Sequence, residues 1–236
     1  MTATRPAADW FDKLPSGRLL TEMSLWSADL ARLESDLLRV NDGTDIFHID
    51  VADGHFSPAF LFFPDLVARL RKVTDKPFHV HLMVADAVLM SQIDQFAKAG
   101  ADLISVHVEN ANAQEALEDI TRRGLMRGVV LQMQTPVAAA APLLPQIDML
   151  TLLGTRIGVS GQSLDDTAPA RLIEARKLVT DRVKGRRVIT AADGGIREHT
   201  VPVLRKSGAE TVVMGSLAFG AEDFAARIDW VRGQAA

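Results

Sequence analysis

Apolar positions along the chain follow two alternating rhythms. Short apolar or β-branched runs at 19–25, 45–51, 77–83, 102–108, 127–131, 148–153, 187–191 and 211–214 read as strands. Between them, apolar residues recur three and four positions apart, as in Leu30, Leu33, Leu37 and Val40, or Leu89, Ile93 and Phe96. These stretches predict helices over 28–40, 66–73, 87–99, 113–123, 136–144, 167–183, 200–207 and from 221 onward. Gly43, Gly100, Gly124 and Gly208 close several of them, and Pro64 stands near the start of one. Strands alternating with helices through short connections predict an α/β fold with a parallel sheet. About eight such units suit a closed (β/α)8 TIM barrel. An open doubly wound sheet is the alternative, but it usually has fewer strands, and no Gly-x-Gly-x-x-Gly opens a helix after the first strand. Residues 1–18 read as an N-terminal extension, in which 10–15 form either a small helix over one barrel mouth or a partly ordered tail. Residues 19–236 read as a single barrel domain without a linker.

Composition narrows the function classes. A chain of 236 residues, 47% of them hydrophobic, buries a substantial core. Its formal charge is -4 and its basic residues are scattered, so no stripe or tail points to nucleic acid. The short groups Arg122-Arg123 and Lys184-Gly185-Arg186-Arg187 read as solvated helix ends and turns. There is no cysteine, which excludes disulfides and thiol chemistry. No apolar run approaches the ~20 residues of a membrane span. The start of the chain lacks the apolar core of a signal peptide, so the expected location is cytoplasmic.

The candidate chemistry sits at strand ends, where barrel enzymes carry their reacting groups. In the run from Ile46 to Val51, alternation sends His48 and Asp50 to one face and Phe47, Ile49 and Val51 to the other. A histidine and a carboxylate so placed can ligate one metal or share one proton. His79, His81 and Met83 share a face of the next strand, and His107 and Asp193 fall at later strand ends. A lone strand histidine is more often a hydrogen-bonded structural residue, but two histidine-bearing strands move the balance towards catalysis. His55, His79 and His107 are left between the two roles. Gly194-Gly195 follows the seventh strand and Gly215-Ser216 the eighth. Glycines there let backbone amides cradle an anion, and these loops are the usual barrel phosphate site. Gly158-Val159-Ser160-Gly161, after the sixth strand, is placed to close over the same phosphate. Phe56, Phe60, Phe62 and Phe63 crowd one loop, as a lid or a subunit contact, and a homo-oligomer is expected.

These stretches resemble one known family, the ribulose-phosphate 3-epimerases, from about Leu20 to Phe219. The resemblance rests on Leu25-Trp26-Ser27-Ala28-Asp29, on His48 through Phe56, on His81-Leu82-Met83 and on Val106-His107-Val108-Glu109. It rests also on Gly161-Gln162-Ser163, Asp193-Gly194-Gly195-Ile196 and Gly215-Ser216. It implies a (β/α)8 barrel that inverts carbon 3 of a small-molecule ketose phosphate with one divalent metal ion per subunit, of a kind such as Zn, Mn, Fe or Co. It implies His48, Asp50, His81 and Asp193 as metal ligands, with Asp50 and Asp193 doubling as the acid–base pair. Ser27 and Met83 would touch substrate; Gly158, Ser160, Gly161, Gly194, Gly195, Gly215 and Ser216 would hold it and its phosphate. The sequence departs from the family pattern at Ala52 and Leu153, where methionine is usual, and at His79, where aspartate is common. It departs also at Ser57-Pro58-Ala59-Phe60 and from Arg156 to Ser160. D-ribulose 5-phosphate is the leading substrate. The alternatives are a tetrulose or hexulose phosphate such as allulose 6-phosphate, a metal-dependent sugar-phosphate aldolase or decarboxylase, and a non-enzymatic sugar-phosphate sensor. The complete histidine–aspartate set argues against the sensor.

Overall fold

A parallel strand covered by helices must be apolar on its outer face, while its inner face is free to carry other chemistry. The computed structural model describes residues 5–236, and Met1 to Thr4 of the N-terminal extension lie outside the described residues. Its strands are β1 (Leu20–Ser24), β2 (Ile46–Ala52), β3 (Phe78–Met83), β4 (Leu103–His107), β5 (Met126–Leu131), β6 (Met149–Leu153), β7 (Ile189–Asp193) and β8 (Thr211–Met214). They pair in parallel in chain order, and β8 returns to β1 to close the barrel. Closure excludes the open sheet. The outer ring holds α1 (Leu33–Val40), α2 (Pro64–Leu70), α3 (Asp86–Ala99), α4 (Ala113–Arg122), α5 (Ala168–Arg182), α6 (Val201–Lys206), α7 (Ser216–Phe219) and α8 (Phe224–Arg232).

The helix expected over 136–144 does not form. Two 3₁₀ turns, Val137–Ala140 and Leu144–Gln146, join β5 to β6 instead. Pro142 and Pro145 lack the amide that an α-helix needs and clash with the preceding turn, so only tight pieces survive. No helix among the described residues is long and apolar enough to cross a membrane.

Outward strand residues such as Phe47, Ile49, Val80, Leu82, Ile104 and Val106 join the helices' apolar faces in one large core. The barrel interior is built in levels. Its floor is apolar: Leu20, Ile46, Leu103, Met149 and Ile189 pack with Phe11, which is 6% exposed. The segment that carries Phe11 is a run of turns rather than a helix. Above the floor the interior turns polar, with Glu22, His48, His79, Ser105, Thr151 and Thr211 all fully buried.

The N-terminal rim is pinned by carboxylates that precede the even-numbered strands. Asp45 takes both nitrogens of the Arg18 fork at 2.7 and 2.8 Å and the Thr21 amide at 2.9 Å. Asp102 accepts from Arg71 and from the Phe78 amide. Asp148 accepts from the Arg127 side chain and amide, and Glu210 from Arg187. Each pin ties an odd strand to the even strand after it. Arg186 and Arg187, read from sequence as solvated, are instead ties: Arg186 donates to the carbonyls of Ile147 and Leu144, and Arg187 to those of Leu14 and Pro15. The sequence reading failed because the long arginine stem reaches carbonyls that are distant in the chain.

Burial alone would push the Asp45 carboxyl up. The Arg18 fork and the Thr21 donors outweigh it and hold the group below the ordinary aspartate range. A folded-state value below the unfolded one gives stability that is present above about pH 4 and is lost as pH falls through the folded value. Asp45→Asn should therefore lower unfolding free energy by about 1.5–3 kcal/mol at pH 7, the worth of a charge-assisted hydrogen bond. Urea titrations should show that gap closing towards pH ~3. Phe11→Ala should cost about 3–5 kcal/mol by emptying the barrel floor, read as a lower urea midpoint at unchanged slope.

Candidate active site

Parallel register places Asp50 beside His81 and His48 beside His79 on neighbouring strands. Asp193 ends β7 across the mouth. His48, Asp50, His81 and Asp193 each direct one ligand atom to a common point, all four within 4.8 Å of one another. His48 Nε2 is 3.1 Å from Asp50 Oδ1 and 3.8 Å from Asp193 Oδ2. His81 Nδ1 is 3.4 Å from Asp50 Oδ1 and 3.7 Å from Asp193 Oδ2. Bonds of ~2.0–2.1 Å in tetrahedral array put neighbouring ligand atoms about 3.3 Å apart, so these spacings suit a single ion.

Hydrogen bonds behind the group set the imidazole tautomers. Glu109 Oε2 lies 3.0 Å from His107 Nδ1, so that nitrogen carries the proton and donates. His107 Nε2 is then an acceptor, 2.9 Å from His81 Nε2, which must donate to it. His81 is left with a bare Nδ1, which is buried and has no hydrogen-bond partner. On the other side Glu22 Oε1 takes the proton of His48 Nδ1 at 2.7 Å, leaving Nε2 as the nitrogen turned to the mouth, 3.1 Å from Asp50 Oδ1. Two ring nitrogens and two carboxylates facing one point form a donor set fit for a divalent cation.

The same contacts shape the charges. Burial pulls His48 down, but Asp50 and Glu22 outweigh it and raise the imidazole well above its usual value, so without a metal Nε2 shares a proton with Asp50, which a cation would displace. Burial pushes Asp50 up, but the charge and hydrogen bond of His48 hold it well below the carboxylate range. Asp193 goes the other way: burial pushes it up to about 6, partly offset by His48 and reinforced by the Asp50 charge. His107 is pulled down to about 4, chiefly by burial, so it stays neutral at pH 7.

The group opens onto a cavity of about 410 Å³ at the C-terminal mouth, walled by Asp50, His81, Met83, Asp193 and the loops after β6, β7 and β8. Ser27, Gly158, Ser160, Gly161, Gly194, Gly195, Gly215 and Ser216 all line it. Two glycines are also required by packing. Gly195 has φ +70°, and a Cβ there would lie 2.6 Å from the Leu164 backbone. A Cβ on Gly215 would lie 2.3 Å from Ser27 Oγ.

The three less certain histidines separate. His55 is exposed in the loop after β2, and its amide caps Asp53, so it stands apart from the group. His107 is buried behind His81. His79 is buried below His48, against Glu22 and Ser105. Glu22 and Ser24 received no role from sequence. Ser24 Oγ donates to Asp50 Oδ2 at 2.8 Å and holds that carboxylate in place. The available signal was a glutamate and a serine two positions apart within the apolar run 19–25, which puts both inside the barrel.

Comparison with known proteins agrees with this geometry. Residues 21–219 match the ribulose-phosphate 3 epimerase family. The chain is 34% identical over 212 residues to the ribulose-phosphate 3-epimerase of Bacillus subtilis, covering 89% of this chain and 96% of that protein. It is 31% identical over 230 residues to the chloroplastic ribulose-5-phosphate-3-epimerase of Arabidopsis thaliana, covering 96% and 80%. Among solved structures, a 3-hexulose-6-phosphate synthase superposes with a TM-score of 0.67 at 19% identity, over 92% of this chain and 100% of that one, a likeness of fold alone. Family match, relatives and the histidine–aspartate group at the barrel mouth converge: the chain belongs to the ribulose-phosphate 3-epimerase family.

Proposed function

We propose that the protein interconverts D-ribulose 5-phosphate and D-xylulose 5-phosphate, with His48, Asp50, His81 and Asp193 holding one divalent cation. The observation that carries this is the pair Asp50 and Asp193. They come from β2 and β7, which do not adjoin, and both face the cavity. Inverting a carbon beside a carbonyl requires removing a proton from one face and returning one to the other. Two bases on opposite faces, each within ~3 Å of the proton it handles, do this. Asp50 and Asp193 exchange these roles with the direction of reaction. Ser24 keeps the Asp50 oxygen aimed at the cavity. The phosphate lies at the end lined by Gly194, Gly195, Gly215 and Ser216, where glycines let a backbone approach an anion. A bound cation supplies Lewis-acid stabilisation of the negative charge that develops on the substrate oxygens, worth several kcal/mol. The inward ring nitrogens of His48 and His81 suit zinc, manganese, iron or cobalt.

A second reading, 3-epimerisation of a longer ketose phosphate such as allulose 6-phosphate, draws on the altered wall. Leu153 and the segment from Arg156 to Ser160, where the sequence departs from the family pattern, line the cavity on the β6 side. Phe60 is 82% exposed in the loop after β2, which supports a homo-oligomer. A cytoplasmic location completes this reading.

Protein loaded with metal and incubated with D-ribulose 5-phosphate in deuterated water should form xylulose 5-phosphate carrying deuterium at C3, followed by NMR. Asp50→Asn and Asp193→Asn should each slow C3 exchange by about 10²–10⁴-fold while leaving the fold intact. Exchange at the wild-type rate in either variant would remove that residue from the mechanism. Treatment with a chelator should abolish turnover, and one of the four metals should restore it. Turnover of allulose 6-phosphate in preference to the pentulose would favour the second reading.

A further inference from the structure

Glu22 lies at the centre of the barrel, completely buried, and one of its oxygens is shared by two imidazoles. Oε1 is 2.7 Å from His48 Nδ1 and 2.5 Å from His79 Nδ1. Glu22, His48 and His79 form a second group of ion-binding residue types, but its spacing is that of hydrogen bonds. An ion between them would push oxygen and nitrogen to about 3.3 Å apart. This group therefore holds protons. A carboxylate oxygen that accepts from two Nδ1 atoms forces both rings into the Nδ1–H form. His79 Nε2 must then accept, and Ser105 Oγ donates to it at 2.6 Å. Space for that hydroxyl is reserved on the next strand, because a Cβ on Gly128 would lie 1.8 Å from Ser105 Oγ. The other Glu22 oxygen is 3.4 Å from Thr211 Oγ1 on β8. Every atom in the chain from β8 through β1, β2 and β3 to β4 is buried, and none of these side chains but His48 touches the catalytic group.

We propose that Glu22 is a positioning residue for the cation held by His48, Asp50, His81 and Asp193, and that His79 exists to hold Glu22. The carboxylate keeps the His48 Nε2 lone pair turned to the mouth and makes that nitrogen a stronger donor through its Nδ1–H bond. His79, with its Nε2 fixed by Ser105, keeps Oε1 from turning away. This proposal rests on the cation reading above. It adds that affinity for the ion is set from below, by a residue on β1 that never reaches the cavity.

The test is zinc and cobalt affinity, measured by chelator competition on the full chain. Wild-type protein should bind one ion per chain, with cobalt absorption in the visible range typical of a nitrogen–oxygen site. Glu22→Gln keeps the volume and removes the charge. It should weaken both ions about 10–100-fold with the thermal midpoint of the metal-free protein nearly unchanged. A double variant, Glu22→Ala with His79→Asp, returns a carboxylate to His48 from β3, since positions 48 and 79 are paired in register. It should recover most of the lost affinity. Affinity in Glu22→Gln within about twofold of wild type would overturn the role of Glu22 and leave the cation reading standing. A wild-type chain that binds neither ion would overturn both. ¹⁵N imidazole spectra of zinc-loaded wild-type protein provide a check that needs no variant to fold: His48 and His79 should both be protonated at Nδ1. An Nε2-protonated His79, or a His48 bound to zinc through Nδ1, would contradict the proposal.

Discussion

Every strand of a closed parallel barrel sends alternate side chains into a space only a few side chains wide. Whatever enters that space must pack against, or hydrogen-bond to, residues from strands far apart in sequence. This constraint governs the protein from floor to mouth. The floor meets it with hydrocarbon and the stopper Phe11. The middle meets it with one carboxylate, two imidazoles and hydroxyls, whose donors and acceptors match. The mouth leaves it partly unmet, since His81 keeps a buried nitrogen without a partner. An unpartnered ring nitrogen aimed at the point where three further ligand atoms meet marks where a ligand belongs.

Two carboxylates, Glu22 in the barrel interior and Glu109 beyond β4, act on the two histidines in different ways. Glu22 touches His48 directly, while Glu109 acts on His81 through His107. The outcomes differ: His48 offers Nε2 and His81 offers Nδ1. Asp50 and Asp193 are likewise unequal, the first held low by imidazole charge and the second pushed up by burial. Similar residue types thus acquire separate properties from their surroundings.

Much of this was legible in the sequence where a short period carries the information. Alternation alone put His48 with Asp50 and His79 with His81, and the strand–helix rhythm predicted the barrel. What was missed depends on contacts across strands. Nothing local distinguishes Glu22 from a glutamate at a strand edge; its meaning comes from His48 and His79, which are 26 and 57 positions away in the chain. His55 looked like His48 in composition, but it follows Gly54, after the strand has ended, and so turns outward. The prolines at 142 and 145 carried the signal against a helix, yet the apolar spacing around them masked it. Gly195 lines the cavity, but its second reason to be glycine, the nearby backbone of Leu164, was not legible in the sequence.

The pins on the N-terminal rim join β1 to β2, β3 to β4, β5 to β6 and β7 to β8. The seam from β6 to β7 is tied at that end too, by Arg186 to the Ile147 carbonyl. Higher up, Glu22 and His79 carry hydrogen bonds from Thr211 on β8 through β1, β2 and β3 to Ser105 on β4. The barrel is therefore laced at two levels, by arginine at its base and by imidazole at its waist. A structural hoop of this kind runs through the catalytic centre itself, so the residues that prepare the chemistry also keep the staves together.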